Sequence, residues 1–369
     1  MSGIIDLRSD TVTHPTDAML QAMAEAPLGD DVFGDDPSVN ALQEKISGML
    51  GFEAGLFMPS GTMSNLCAIV SHCQRGDEYI VGQLAHCYRC EAGGAAVLGS
   101  VQPQPLEHQP DGTLALEDIL AAIKPDDIHY ARTRLLAIEN TLGGKLIPFD
   151  YLEQATQLAK RNGLSCHLDG ARLFNAATAQ ADAVGSNSYD EARRISGCFD
   201  SVSVCLSKGL GAPIGSILCG NWEFIEKARR FRKMAGGGMR QAGMLAAAGI
   251  YALDNHVSRL KEDHLLAKRL ADGLTTIPML EVEEPETNIV FVNLIGSYKG
   301  RSRELTESLK EHGILVNGTS RLRFVTHLDV DSAGIDATIS MVGRFFGDQE
   351  TVRTGNAKRT HQKPWSLSQ

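Results

Sequence analysis

No apolar run in this sequence approaches the roughly 20 residues a membrane-spanning helix needs, so no membrane partner is expected. Residues 1–8 lack the basic start and long apolar core of a signal peptide. Basic charge is in deficit: 35 Lys and Arg against 45 Asp and Glu leave a net charge of -10, which argues against a nucleic-acid or anionic-membrane surface. Cysteine is sparse, with eight in 369 residues. Most of these, including Cys67, Cys166, Cys205 and Cys219, fall in apolar runs and read as reduced core residues of a cytoplasmic protein. Cys87 and Cys90 form a C-x-x-C pair, but the second pair a zinc site wants is absent, and the stretch reads as helix rather than as the turn after a thioredoxin-like strand. No metal is expected. The phosphate loop G-x-x-x-x-G-K, the dinucleotide fingerprint G-x-G-x-x-G and any internal repeat are missing too.

What is present is a long alternation of strand and helix signals. A chain of this length exceeds one small core, so two domains are expected. Strands are predicted at residues 54–58, 78–81, 135–138, 164–168, 201–207 and 214–219, with helices at 65–73, 85–96, 116–123 and 151–161 between them. Such alternation implies an α/β fold with a mostly parallel sheet flanked by helices, whose active site lies at the carboxyl ends of the strands. Residues 1–14 read as an N-terminal arm, 15–250 as the large domain, and 251–346 as a smaller C-terminal α/β domain. Residues 347–369 turn polar and basic and read as a disordered tail. A continuous helical region is expected over about 238–274.

The apolar strand ending in Leu206-Ser207-Lys208-Gly209 is the centre of the chemistry. A lysine at such a strand end loses solvation, which makes its amine more nucleophilic, and the glycine lets backbone approach a bulky group. An imine-forming lysine that carries pyridoxal phosphate has these needs; an exposed turn is the plain alternative. Ser60-Gly61-Thr62 follows a strand and opens a helix, where free N–H groups bind a phosphate, or where Ser60 simply caps the helix. Asp169 ends a strand with Arg172 three residues on. It could keep a pyridine nitrogen protonated, or the two could form a structural ion pair. His86 could stack on a cofactor or be a satisfied structural histidine. The glycine run after Lys233, with Arg240 behind it, could bind phosphate across a subunit interface, and Arg321 and Arg323 alternate onto one strand face suited to a carboxylate. Either group could equally be solvated.

These pieces together resemble the L-threonine aldolases, pyridoxal phosphate enzymes of the fold-type I aminotransferase superfamily. The most specific are IDLRSDTVT at 5–13, GDDVFGDDP at 29–37, LDGAR at 168–172, LSKGL at 206–210, KMAGGGMRQ at 233–241 and RFVTHLD at 323–329. The resemblance implies that Lys208 carries the cofactor, Asp169 pairs with its ring nitrogen, and Gly61 and Thr62 hold the phosphate, with Lys233 and Arg240 reaching it from a neighbouring subunit. It implies Ser9, Arg172 and Arg323 at the substrate carboxylate, with Arg172 also among the cofactor contacts. His86 would stack on the ring, and His86 and His129 would lie near the substrate hydroxyl. It also implies a homo-oligomer, a tetramer built as a dimer of dimers. Two positions depart from the pattern: Leu142 stands where the family often has histidine, and Phe33 where it usually has tyrosine. The expected reaction is retro-aldol cleavage of a small β-hydroxy amino acid. Alanine racemisation or β-elimination at the same site is the alternative, and a non-catalytic metabolite-binding protein is a third reading against which Lys208 and Asp169 both count.

Overall fold

The computed structural model describes residues 3–359. The chain divides into two units, Asp10–His264 and a smaller one made of Met1–Ser9 with Leu265–Gln369. The division differs from the expected one at both ends. Residues 1–9 do not stand apart as an arm, because β1 (Ile5–Asp6) pairs in parallel with a strand near the other end of the chain. The second boundary falls at residue 265 rather than 251, because the helix Gly243–Asn255 packs on the helices Asp17–Ala24 and Pro37–Leu50 of the larger unit.

The larger unit holds seven strands: β2 (Ala54–Met58), β3 (Asp77–Gly82), β4 (Gln102–Leu106), β5 (Arg132–Glu139), β6 (Ser165–Gly170), β7 (Ser201–Cys205) and β8 (Ser216–Gly220). They form one sheet in the order β2-β8-β7-β6-β5-β3-β4. β8 runs antiparallel to both its neighbours, and the remaining pairs are parallel. β2, β7 and β8 are buried at every position, as strands covered on both faces must be. β4 contains Pro103 and Pro105, which cannot donate to a ladder, and it accordingly lies at the sheet edge; those prolines hid it from sequence reasoning.

Two stretches predicted as continuous helix are interrupted. Residues 85–96 form two short helices, His86–Arg89 and Gly94–Val97, because Ala92 and Gly93 adopt positive φ between them. The break turns the Glu91 carboxylate into the protein, where it is almost fully buried. The 238–274 region forms Gly243–Asn255 and Leu260–Thr275, and His256 between them bonds through Nδ1 to the Leu210 carbonyl. Helices Leu173–Val184, Ser188–Ser196 and Trp222–Met234 were not anticipated.

In the smaller unit, β9 (Leu280–Val282), β10 (Ile289–Leu294) and β12 (Arg321–Val325) form an antiparallel sheet in the order β12-β10-β9, while β11 (Ile314–Leu315) takes β1. Leu7, Leu270, Val290, Leu305, Phe324 and Phe346 fill its core. The last helix runs Ser332–Arg359, past its expected end near Phe346. No proline interrupts the chain there before Pro364, so polar composition alone does not stop the helix. The rest of the tail expected to be disordered, 360–369, lies outside the described residues.

The acidic loop at 29–36 is tied down by its last residue. Asp36 is fully buried and caps Pro37–Leu50, its Oδ1 accepting from the N–H groups of Ser38 and Val39. Its Oδ2 accepts from Gly29 at 3.2 Å and from Gly243 at 2.9 Å. One carboxylate therefore joins a loop and two helix starts. Asp36→Ala should lower the unfolding free energy by about 2–4 kcal/mol, since it removes a cap and orphans buried donors; urea denaturation measures this.

Candidate active site

Sheet direction decides what meets at the site. β2, β3, β5, β6 and β7 all point the same way, so the residues following their carboxyl ends share one edge. Those residues are Gly61 and Thr62 after β2, His86 after β3, Glu139 ending β5, Asp169 near the end of β6, and Lys208 after β7. His129 precedes β5 and so belongs to the opposite edge. It is largely exposed and held by Asp127, whose Oδ1 takes both its backbone N–H (2.9 Å) and its Nδ1 (2.6 Å). The chain does not bring His129 to His86.

Lys208 is half-buried, and its amine makes no hydrogen bond or ion pair among the described residues. The turn carrying it is built by Gly211, at φ +74, whose N–H bonds the Lys208 carbonyl at 2.8 Å. A Cβ on Gly209 would come within 2.9 Å of Leu260 Cδ2, so the backbone there needs glycine. Lys208 lines a narrow cleft with Ala171, Arg172 and Cys205. Asp169 is buried, with Oδ1 accepting from the Ala171 N–H (3.1 Å) and Oδ2 from Asn65 Nδ2 (2.7 Å).

Arg172 is not paired with Asp169, which removes the bland reading of that motif. Its Nε and Nη2 grip buried Asp10 at 2.8 and 2.7 Å. At the start of the helix Gly61–His72, Ser60 Oγ caps the N–H of Met63, leaving those of Gly61 and Thr62 outside the helix's own bonding. A Cβ on Gly61 would meet only Cys205 Sγ, at 3.8 Å. Capping by Ser60 therefore leaves room for an anion at the same helix start. An open amine, a buried carboxylate and a bare helix start on one edge fit pyridoxal phosphate.

Three carboxylates crowd this edge. Acceptor and donor atoms of His86, Glu91 and Asp169 lie within 4.8 Å of one another. His86 Nδ1 bonds Glu91 Oε1 at 2.8 Å, and the His86 backbone N–H donates to Glu139 Oε2 at 2.7 Å. The Glu91 hydrogen bond, helped by the Asp169 and Glu139 charges and opposed by burial, holds His86 above the ordinary histidine range. Burial pushes Glu91 up as well, against the pull of His86. Burial and then the Asp169 charge raise Glu139 to about 7, while His86 and Lys208 work in the other direction.

Arg240 pairs with Asp30 at 2.9 Å and lies over the Phe33 ring, 5.8 Å from its centroid. Phe33 thus serves as a cation–π platform where a tyrosine was expected. Leu142 closes a tight turn with Lys145. Lys233, at the end of Trp222–Met234, has no ion pair among the described residues. In the smaller unit, Arg323 Nη2 reaches the carbonyl of Arg8, next to Ser9, at 3.4 Å. Arg321 is otherwise engaged, with Glu283 at 2.5 Å and over Phe291.

Sequence reasoning passed over Asn65, Glu91, Glu139 and His167 as site residues. Only folding reveals their partners. Beneath the edge, His167 on β6 bonds Ser201 Oγ through Nδ1 (2.8 Å) and Asn65 Oδ1 through Nε2 (3.3 Å). His72 Nε2 reaches the same Ser201 hydroxyl at 2.7 Å.

The fold and this edge define a class: a pyridoxal phosphate-dependent enzyme of fold type I. Residues 6–296 match the beta-eliminating lyase family, and the chain belongs to that family. It is 52% identical over 327 residues to the low specificity L-threonine aldolase of Escherichia coli strain K12, covering 89% of this chain and 95% of that one. It is 43% identical to the low specificity L-threonine aldolase of Saccharomyces cerevisiae, over 78% of this chain and 74% of that one. A solved threonine aldolase of Leishmania major shares the fold at a TM-score of 0.77 and 22% identity, over 92% of this chain and 99% of that one. Among the described residues, no helix is long and apolar enough to cross a membrane.

Burial drives His72 down to about 4 and His167 to about 3. Both are lowered from an unfolded value near 6.5, so between about pH 6.5 and 4 the unfolded chain binds more protons and stability falls as pH falls. His72→Gln should flatten that slope by up to about 1.4 kcal/mol per pH unit, as read from urea midpoints at about pH 7 and pH 5; an unchanged slope would show that His72 is not held neutral.

Proposed function

We propose that this chain cleaves L-threonine and L-allo-threonine, with other β-hydroxy-α-amino acids, to glycine and an aldehyde, which is acetaldehyde for threonine. One observation carries the reading: the open amine of Lys208 and the buried carboxylate of Asp169 emerge from neighbouring parallel strands, beside the bare helix start at Gly61, in a chain half identical to a threonine aldolase over most of its length.

Pyridoxal phosphate, when bound, supplies the sink for the electron pair left on Cα. Lys208 would hold the cofactor, Asp169 would face its ring nitrogen and favour the protonated form, and the N–H groups of Gly61 and Thr62 would take its phosphate. Arg172, anchored by Asp10 through two of its nitrogens, offers the rest of its fork to the substrate carboxylate. The β-hydroxyl proton passes to a water oriented by His86. As the carbonyl forms, the Cα–Cβ bond breaks and the aldehyde leaves. A proton returned to Cα completes glycine. His86 suits this because Glu91 holds its Nδ1 edge, leaving Nε2 for the substrate side.

His129 sits at the far edge of its own sheet, and Arg240 is tied to Asp30. Roles for these two and for Lys233 follow if the sites are shared between copies, so the assembly is assigned as a homo-oligomer, a dimer of dimers. The eight free cysteines suit the cytoplasm.

The purified protein should show a visible band near about 420 nm, where the protonated cofactor on lysine absorbs, and should release acetaldehyde on adding L-threonine. Lys208→Ala should lose both the band and nearly all turnover. A band without acetaldehyde, with racemised alanine or an eliminated β-substituent instead, would move the reading to the other reactions. Sedimentation should give a mass well above the 39.8 kDa monomer; an active monomer would remove the shared site.

A further inference from the structure

Asn65 is almost fully buried on the fifth residue of the helix Gly61–His72, and it touches three groups of the site. Its Nδ2 is 2.7 Å from Asp169 Oδ2 and 2.9 Å from Glu91 Oε1. Its Oδ1 is 3.3 Å from His167 Nε2. The two carboxylates are acceptors, so the amide nitrogen must face them and the amide oxygen must face His167. His167 therefore carries its proton on Nε2, and its Nδ1 accepts from the Ser201 hydroxyl. That hydroxyl, its one hydrogen used, accepts in turn from His72 Nε2–H. Donor and acceptor roles then run in one direction from His72 to the two carboxylates, with Ser203 Oγ, 3.5 Å from His167 Nε2, a second and longer acceptor for the same N–H.

The sheet and helix periods make this order possible. His167 and Asp169 are two residues apart on β6 and share a face, and the register sets Ser201 beside His167. Asn65 and His72 are seven apart on the covering helix and face the same way. An amide does not pass protons on under ordinary conditions, so the chain orients groups and does not conduct.

We propose that Asn65 is a positioning residue, whose amide, set by neutral His167, fixes in one rigid relation the Asp169 carboxylate that would face the cofactor's ring nitrogen and the Glu91 carboxylate that orients His86. What these carboxylates serve rests on the pyridoxal phosphate reading; the hydrogen-bond order does not. Burial, which holds both His72 and His167 low, agrees with neutral rings.

Two measurements test it. In protein labelled with 15N at histidine, assigned with His86→Gln and His167→Gln, His167 should stay neutral between about pH 5.5 and 8.5 with its proton on Nε2. A proton on Nδ1, or titration of His167 in that range, would overturn the order. Asn65→Leu should weaken binding of pyridoxal phosphate to the apoprotein by about tenfold or more, the scale of a lost hydrogen bond to a charged group. It should also raise the pH at which His86 titrates, since Glu91 loses a donor. Unchanged cofactor affinity and unchanged His86 titration in a folded variant would reject the positioning role. If Asn65→Leu does not fold, the wild-type histidine spectrum still decides. If the wild-type apoprotein takes up no pyridoxal phosphate, the reading of the site fails while the spectrum decides the hydrogen-bond order alone.

Discussion

Three carboxylates held close together at one sheet edge are the constraint on which this site depends. Burial, with the Asp169 charge beside them, raises the proton affinity of Glu91 and Glu139, and Glu139 is pushed to about 7. Such a cluster persists only if donors are aimed at it. Here the donors are the Asn65 amide, the ring and backbone N–H of His86, and the Ala171 N–H. The Lys208 amine adds a positive charge within range of Glu139. The edge is therefore built to favour protons and cations, the environment a cofactor that must keep a ring nitrogen protonated requires.

Chain direction delivers those groups together. Six strands of the larger unit, β2 to β7, run one way, and all but the edge strand β4 hand their next residues to the site. β8 runs against both its neighbours and so returns the chain to the start of the following helix, Trp222–Met234, away from that edge. The same geometry separates His129 from His86, although both were assigned to one substrate hydroxyl. Within a single chain, His86 with its partner Glu91 is the histidine this edge offers for the proposed acid–base task.

The plain alternatives for several motifs proved to be compatible with function. Ser60 caps its helix and still leaves two N–H groups for an anion. The arginine beside Asp169 is in an ion pair, but with Asp10, from the opposite end of the larger unit's sequence, and that pairing steadies a guanidinium that lines the Lys208 cleft. At Phe33 an aromatic face supports Arg240 without a hydroxyl.

Much was legible in the sequence because it is local. Apolar runs ending in glycine, serine or aspartate marked most strands of the large sheet, and Lys208, Asp169 and Gly61 each stood at a strand end where such sheets place their chemistry. The resemblance supplied the reaction. Edge strand β4 was hidden by its prolines, and the break at Ala92 and Gly93 by a helical composition around it. The pairing of residues 5–6 with 314–315, the grip of Asp10 on Arg172, and the hub at Asn65 were decided only by the tertiary structure. Each joins residues about 100 to 310 apart in the chain, and a side chain's partner across such distances is set by which strands lie side by side, not by its neighbours in sequence.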